Sequence, residues 1–132
     1  MVHRRELLAY LVGAGVAGTI LVAPFVLRDA AIRMFLPGRS VPIVPFFLLP
    51  VLWGLWNLFW VRRQPRVDVG TWGALLGLAA SLAVNLYLVV RNAWFGAAAL
   101  LVVFLPVVYY LIWHLVIGPI NEGLGVEGPR RE

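Results

Sequence analysis

Four long apolar runs, with nearly all charge confined to the gaps between them, constrain this chain more than any other feature. They cover residues 7–27, 41–61, 71–90 and 93–117. Each is about 20 residues or more, the length a helix needs to cross roughly 30 Å of hydrocarbon. The 132 residues are 62% hydrophobic, and a soluble domain of this size has too much surface for its volume to hide that fraction. The pattern predicts an all-α fold. It is that of a polytopic integral membrane protein, a four-helix transmembrane bundle forming one domain over 1–132, with a short cytoplasmic tail over 118–132.

Charge sets the expected orientation. All eleven basic residues are Arg, against six acidic ones, for a formal charge of +5. An even number of spans puts Arg4, Arg5, Arg62, Arg63, Arg66, Arg130 and Arg131 on one side. Arg28, Arg33, Arg39 and Arg91 then face the other. The positive-inside rule therefore predicts both termini in the cytoplasm of a bacterial-type inner membrane, with a dual-topology dimer as the alternative. Arg62, Arg63 and Arg66 are candidate contacts for lipid phosphates. The N-terminal stretch has the basic start of a signal peptide, but its apolar run is too long for one, so it reads as a retained first span. No basic run is interleaved with aromatics on a soluble surface, and nucleic acid is not an expected partner. The lipid bilayer and other transmembrane helices are.

Small residues mark where helices can touch. Ala9, Gly13 and Ala17 recur at four-residue spacing, with Ala14 and Gly18 on an adjacent row. Such spacing lets two membrane helices approach closely, either within the bundle or across a dimer. Gly73, Gly77, Ser81 and Asn85 form a second row in which two glycines give close approach and two polar residues can hydrogen-bond across it. Arg91-Asn92 is too short for anything but a tight turn, so the third and fourth spans form an antiparallel hairpin. Breakers suggest further detail. Pro24 is expected to kink the first span, and Pro106 to bend the fourth. The loop from 28 to 40 reads as an interfacial helix or an extension of the first span, ended by Pro37-Gly38. Pro42, Pro45 and Pro50 make the first half of the second span irregular. Gly118-Pro119 is expected to stop the last helix, leaving 121–132 as a solvated tail.

Chemistry-bearing residues are few. Zero cysteines exclude disulfides, thiolate metal sites and a Cys nucleophile. No Asp, Glu, Lys or Arg lies in the middle of a span, which disfavours an ion-coupled pump. Ser40 and Ser81 have no recognisable base partner. Asn57 and His114 fall in one layer near the cytoplasmic face. Thr19, Ser81 and Asn85 fall in another. His114 reads more simply as an interfacial histidine bonded to Tyr110 or to water than as a haem or metal ligand or a proton relay. Trp53, Trp56 and Trp60, at i, i+3 and i+7, form either an interfacial belt or the wall of a lipid, quinone or pigment groove.

The expectation is thus a non-enzymatic protein with no catalytic residue, metal or cofactor. It would be a helix-packing or accessory subunit using Gly13, Ala17, Gly73, Gly77, Ser81 and Asn85. The first alternative is a small homo-oligomeric channel or carrier for a neutral or anionic solute, lined by Thr19, Ser81 and Asn85. The second is a lipid or quinone binder using Trp53, Trp56, Trp60 and Tyr110. Thr19, Asn57, Tyr110 and His114 are the polar positions most able to line a ligand.

Overall fold

The structure is a computed structural model that describes residues 2–35, 48–63 and 67–126, with the backbone alone at 2, 3, 21–33 and 35. Among these residues the regular structure is helical and forms four rods. Pro37-Gly38, Arg39, Ser40, Pro42, Pro45, Arg66, Arg130 and Arg131 lie outside the described residues.

The first rod, α1, runs Val2–Phe35 without interruption, through position 24 and through the first part of the expected loop. The reason is local. No glycine or proline lies between 25 and 36, and nothing breaks the helix before Pro37-Gly38. The second rod, α2, covers Leu49–Arg63. Pro50 sits in its first turn, where a missing N–H costs nothing. Arg62 and Arg63 close its last turn, where cations oppose the helix dipole.

The third rod, α3, covers Val69–Val90. Asp68 caps it, accepting from the Thr71 amide at 3.0 Å and from the Thr71 hydroxyl. At its far end Asn92 takes a φ of 51°, the Asn92 amide donates to the Val89 carbonyl at 3.0 Å, and the Ala93 amide to that of Leu88 at 2.8 Å. That is a Schellman stop with asparagine in the left-handed position usually held by glycine.

The fourth rod is composite. A 3-10 turn at Gly96–Leu100 leads into α4 (Leu101–Ile112), a π turn at Trp113–Ile117 and α5 (Gly118–Gly123). The helix therefore passes Gly118-Pro119 instead of stopping there. In the π turn the Gly118 amide reaches back five residues to the Trp113 carbonyl. This widened turn makes room for the ring of Pro119, whose lack of an N–H would otherwise break the ladder. The stop comes at Gly125, with φ of +63°. There the Gly125 amide donates to the Glu122 carbonyl and the Val126 amide to that of Asn121, a second Schellman stop. Asn121 and Val126 are accordingly fully buried, while residues 122–125 between them are exposed.

The rods pair as two hairpins, α1 on α2 and α3 on α4. Each pair meets at glycine. A Cβ on Gly13 would run into the Trp53 carbonyl, and one on Gly54 would lie 2.9 Å from the Tyr10 carbonyl oxygen. A Cβ on Gly77 would lie 2.7 Å from the Leu105 carbonyl oxygen and 2.9 Å from the Pro106 Cα. Val12, Ala17, Trp53, Leu76, Tyr109, Trp113 and Ile117 form the core that joins the hairpins.

The outer surface is apolar. Val103 is 70% exposed, Leu86 65% and Leu115 63%, while Asn57, Ser81 and Asn121 are inside. Two rods, Val69–Val90 and Gly96–Gly123, are long and apolar enough to cross a membrane, and only 28% and 17% of their most apolar stretches are buried.

Candidate functional site

Two buried polar side chains, Asn57 and Asn121, converge at one end of the molecule, where α1, α2 and α5 meet. The Asn57 and Asn121 amides face each other and bond twice. Asn57 Nδ2 donates to Asn121 Oδ1 at 3.1 Å, and Asn121 Nδ2 to Asn57 Oδ1 at 2.9 Å. Asn57 Nδ2 also donates to the Ala9 carbonyl at 2.8 Å. One pair of side chains thus ties three rods, in a place where an unpaired amide would be costly. Alanine at position 9 admits the pair by leaving the α1 backbone bare. The Schellman turn then brings Val126 under the same end, and Arg5 Nη2 donates to its carbonyl at 2.7 Å.

Charge closes this end from outside. Arg62 grips Glu6 with two parallel bonds, Nε to Oε1 at 3.0 Å and Nη2 to Oε2 at 2.9 Å. The hydrogen bond it donates to Glu6, and then the Glu6 charge, raise the Arg62 pKa above its ordinary value. Arg4 and Arg63 are exposed beside this pair. The Asp68 carboxyl is held below its ordinary pKa, chiefly by the Thr71 hydroxyl.

An aromatic layer adjoins the amide pair. Trp53 meets Tyr109 edge-on at 5.0 Å and Trp113 at 4.7 Å, and its Nε1 donates to the Tyr109 hydroxyl at 3.2 Å. Trp113 is fully buried, and its Nε1 has no hydrogen-bond partner among the described residues. On the other side Trp56 stacks on Trp72 at 4.7 Å, and each indole N–H donates to the other residue's carbonyl, at 2.9 and 3.1 Å. Trp60 also leans on Trp72, at 6.1 Å. Trp53 is therefore core, while Trp56 and Trp60 clamp α2 to α3. The three do not form one groove wall, because their one-face spacing is divided between two neighbouring rods.

The remaining positions separate in the same way. Ala17 is buried against the core, and Gly73 lies under the Trp113 ring. Ser81 is buried and donates to Leu78 of its own helix at 2.7 Å. Asn85 donates to the carbonyls of Ser81 and Ala98, and its Oδ1 accepts from Trp94 Nε1 at 2.9 Å. It fastens the start of the fourth rod to α3. Thr19 faces outward and donates to the Gly15 carbonyl. Thr19 is thus not brought to Ser81 and Asn85. His114 is exposed and stacks on Tyr110 at 5.6 Å, away from Asn57.

Sequence reasoning missed Asn121, Trp72 and Val126. Trp72 carried a usable signal, an indole at the mouth of a span. Asn121 carried none, since its partner lies 64 residues away.

No protein-family model matches the chain, nor does any curated protein or solved structure.

Proposed function

We propose that this is a multi-pass protein of a bacterial-type inner membrane, with both termini cytoplasmic, serving as a non-catalytic accessory subunit that packs against other membrane helices. The observation that carries this reading is the inversion of the molecule. Leucine, valine and phenylalanine cover the outside of both hairpins, while Asn57, Ser81 and Asn121 lie within. Hydrocarbon is the solvent in which that arrangement is favourable.

The buried Asn57, Ser81 and Asn121 side chains are engaged with the chain's own rods, so partner recognition falls to the outer faces. On α1, Cβ atoms built on Gly15 and Gly18 meet nothing within 4 Å. Leu11 and Thr19 flank them, also exposed. A partner helix crossing there would approach backbone to backbone, the geometry that drives association in lipid.

Extraction in mild detergent followed by native mass spectrometry tests the reading. The accessory role predicts a larger complex from which Gly15→Leu or Gly18→Leu releases the protein without changing its own unfolding temperature. A protein found alone, or with copies of itself and no other chain, would refute that role.

A further inference from the structure

Tyr110 and His114 stand out on the outer surface. Their neighbours along the fourth rod, Val107, Leu111 and Leu115, are exposed and apolar. These two are exposed, aromatic and polar-tipped, and their rings stack nearly parallel, with 13° between planes. Gly70 brings Tyr110 against α3. A Cβ at that glycine would lie 2.7 Å from Tyr110 Cε2 and 3.0 Å from Asp68 Oδ1. The carboxylate and the ring edge therefore face each other across one residue that has no side chain. Asp68 is itself exposed.

We propose that Asp68, Tyr110 and His114 form an outward-facing site for the headgroup of an aminophospholipid, one bearing a primary ammonium and a phosphate. This deepens the membrane reading and rests on it. Depth supports it, since Asp68 caps the rod that is long enough to span, so the cluster sits where headgroups begin. Chemistry supports it too. The primary ammonium donates hydrogen bonds to the carboxylate and is attracted by the aromatic faces. The imidazole N–H is the donor for the phosphate. The Asp68 carboxylate accepts from the Thr71 amide and hydroxyl, with the backbone N–H groups of Gly70 and of Asp68 itself also turned to it, and it is exposed to an incoming ammonium. The α3 dipole cancels about half a charge at its N-terminus, and the site stays net negative. A quaternary choline group has no N–H for Asp68, and an anionic glycerol headgroup is repelled by it.

The test uses the full chain purified in detergent and titrated with phosphatidylethanolamine, phosphatidylcholine and phosphatidylglycerol, with bound lipid read by native mass spectrometry. Asp68→Asn removes the charge and keeps the cap, because asparagine is an equally good N-cap. The expected result is a preference for the ethanolamine lipid of about tenfold, the scale of one charge-assisted hydrogen bond. Asp68→Asn abolishes that preference and His114→Leu reduces it, with unchanged helical circular dichroism. Equal lipid ratios in wild type and Asp68→Asn, or a wild-type preference for the glycerol lipid, would overturn the site and leave the membrane reading standing. A chain that dissolves and stays monomeric without detergent would overturn both.

Discussion

The Asn57–Asn121 pair is the residue-scale feature on which most hangs. Replacing either asparagine with leucine strands the other amide in a closed interior, and each single change is expected to cost about 1–3 kcal/mol. Replacing both removes the stranded group, so the double variant should lie closer to wild type than the sum of the singles. Reversible unfolding in micelles measures all three, and strict additivity would mean that the two side chains act independently. Asp68 offers a second check. Its folded pKa is depressed, so the stability it contributes is present above its unfolded value near 3.9 and is lost as pH falls through the lower folded value. Asp68→Ala should therefore cost about 1 kcal/mol at pH 7 and progressively less in strong acid. The reading of Asn57 as a polar residue within an apolar run came straight from its neighbours. Its partner was not legible, because Asn121 follows Gly-Pro, a pair that ordinarily ends a helix, and only the π turn carries the rod past it.

At the scale of elements, glycine decides which rods touch. The spacing of Gly73 and Gly77 was visible in the chain, and so was the tight turn that folds α3 onto α4. What spacing could not convey was which partner each row would choose. Both rows are taken up inside the molecule, by Trp113 and the Leu105–Pro106 backbone for α3 and by Trp53–Gly54 for α1. Gly77→Val should accordingly split the second hairpin. The expected outcome is a loss of several degrees in unfolding temperature and slower migration in mild detergent electrophoresis, and an unchanged temperature would show that α3 and α4 do not rely on that contact. Helix ends were less legible than helix interiors. Asp68 and Asn92 mark α3 within three residues of its apolar run. The end of α1 lies well past its apolar run, because Arg28 and Arg33 lower hydropathy without lowering helical propensity.

For the whole molecule, the four rods and their all-helical character followed from the length and number of the apolar runs. Their sidedness in a bilayer is open to a direct experiment. The chain has no cysteine, so single-cysteine variants report without interference. Val67 and Asn92 are exposed at opposite ends of α3. Val67→Cys should react with a membrane-impermeant maleimide in inside-out vesicles, and Asn92→Cys in intact spheroplasts. Labelling of both from one side would mean that α3 does not cross.

The uninterrupted course of α1 has a consequence for what this protein presents to its surroundings. Its 34 residues measure about 51 Å end to end. Leaning by a usual 20° or so, it still stands about 48 Å tall, more than the 40–45 Å of a bilayer counted with its headgroups. On the topology proposed above, with its first turns pinned beside Arg62, the surplus would emerge on the far side as a short mast, within reach of an antibody or a protease.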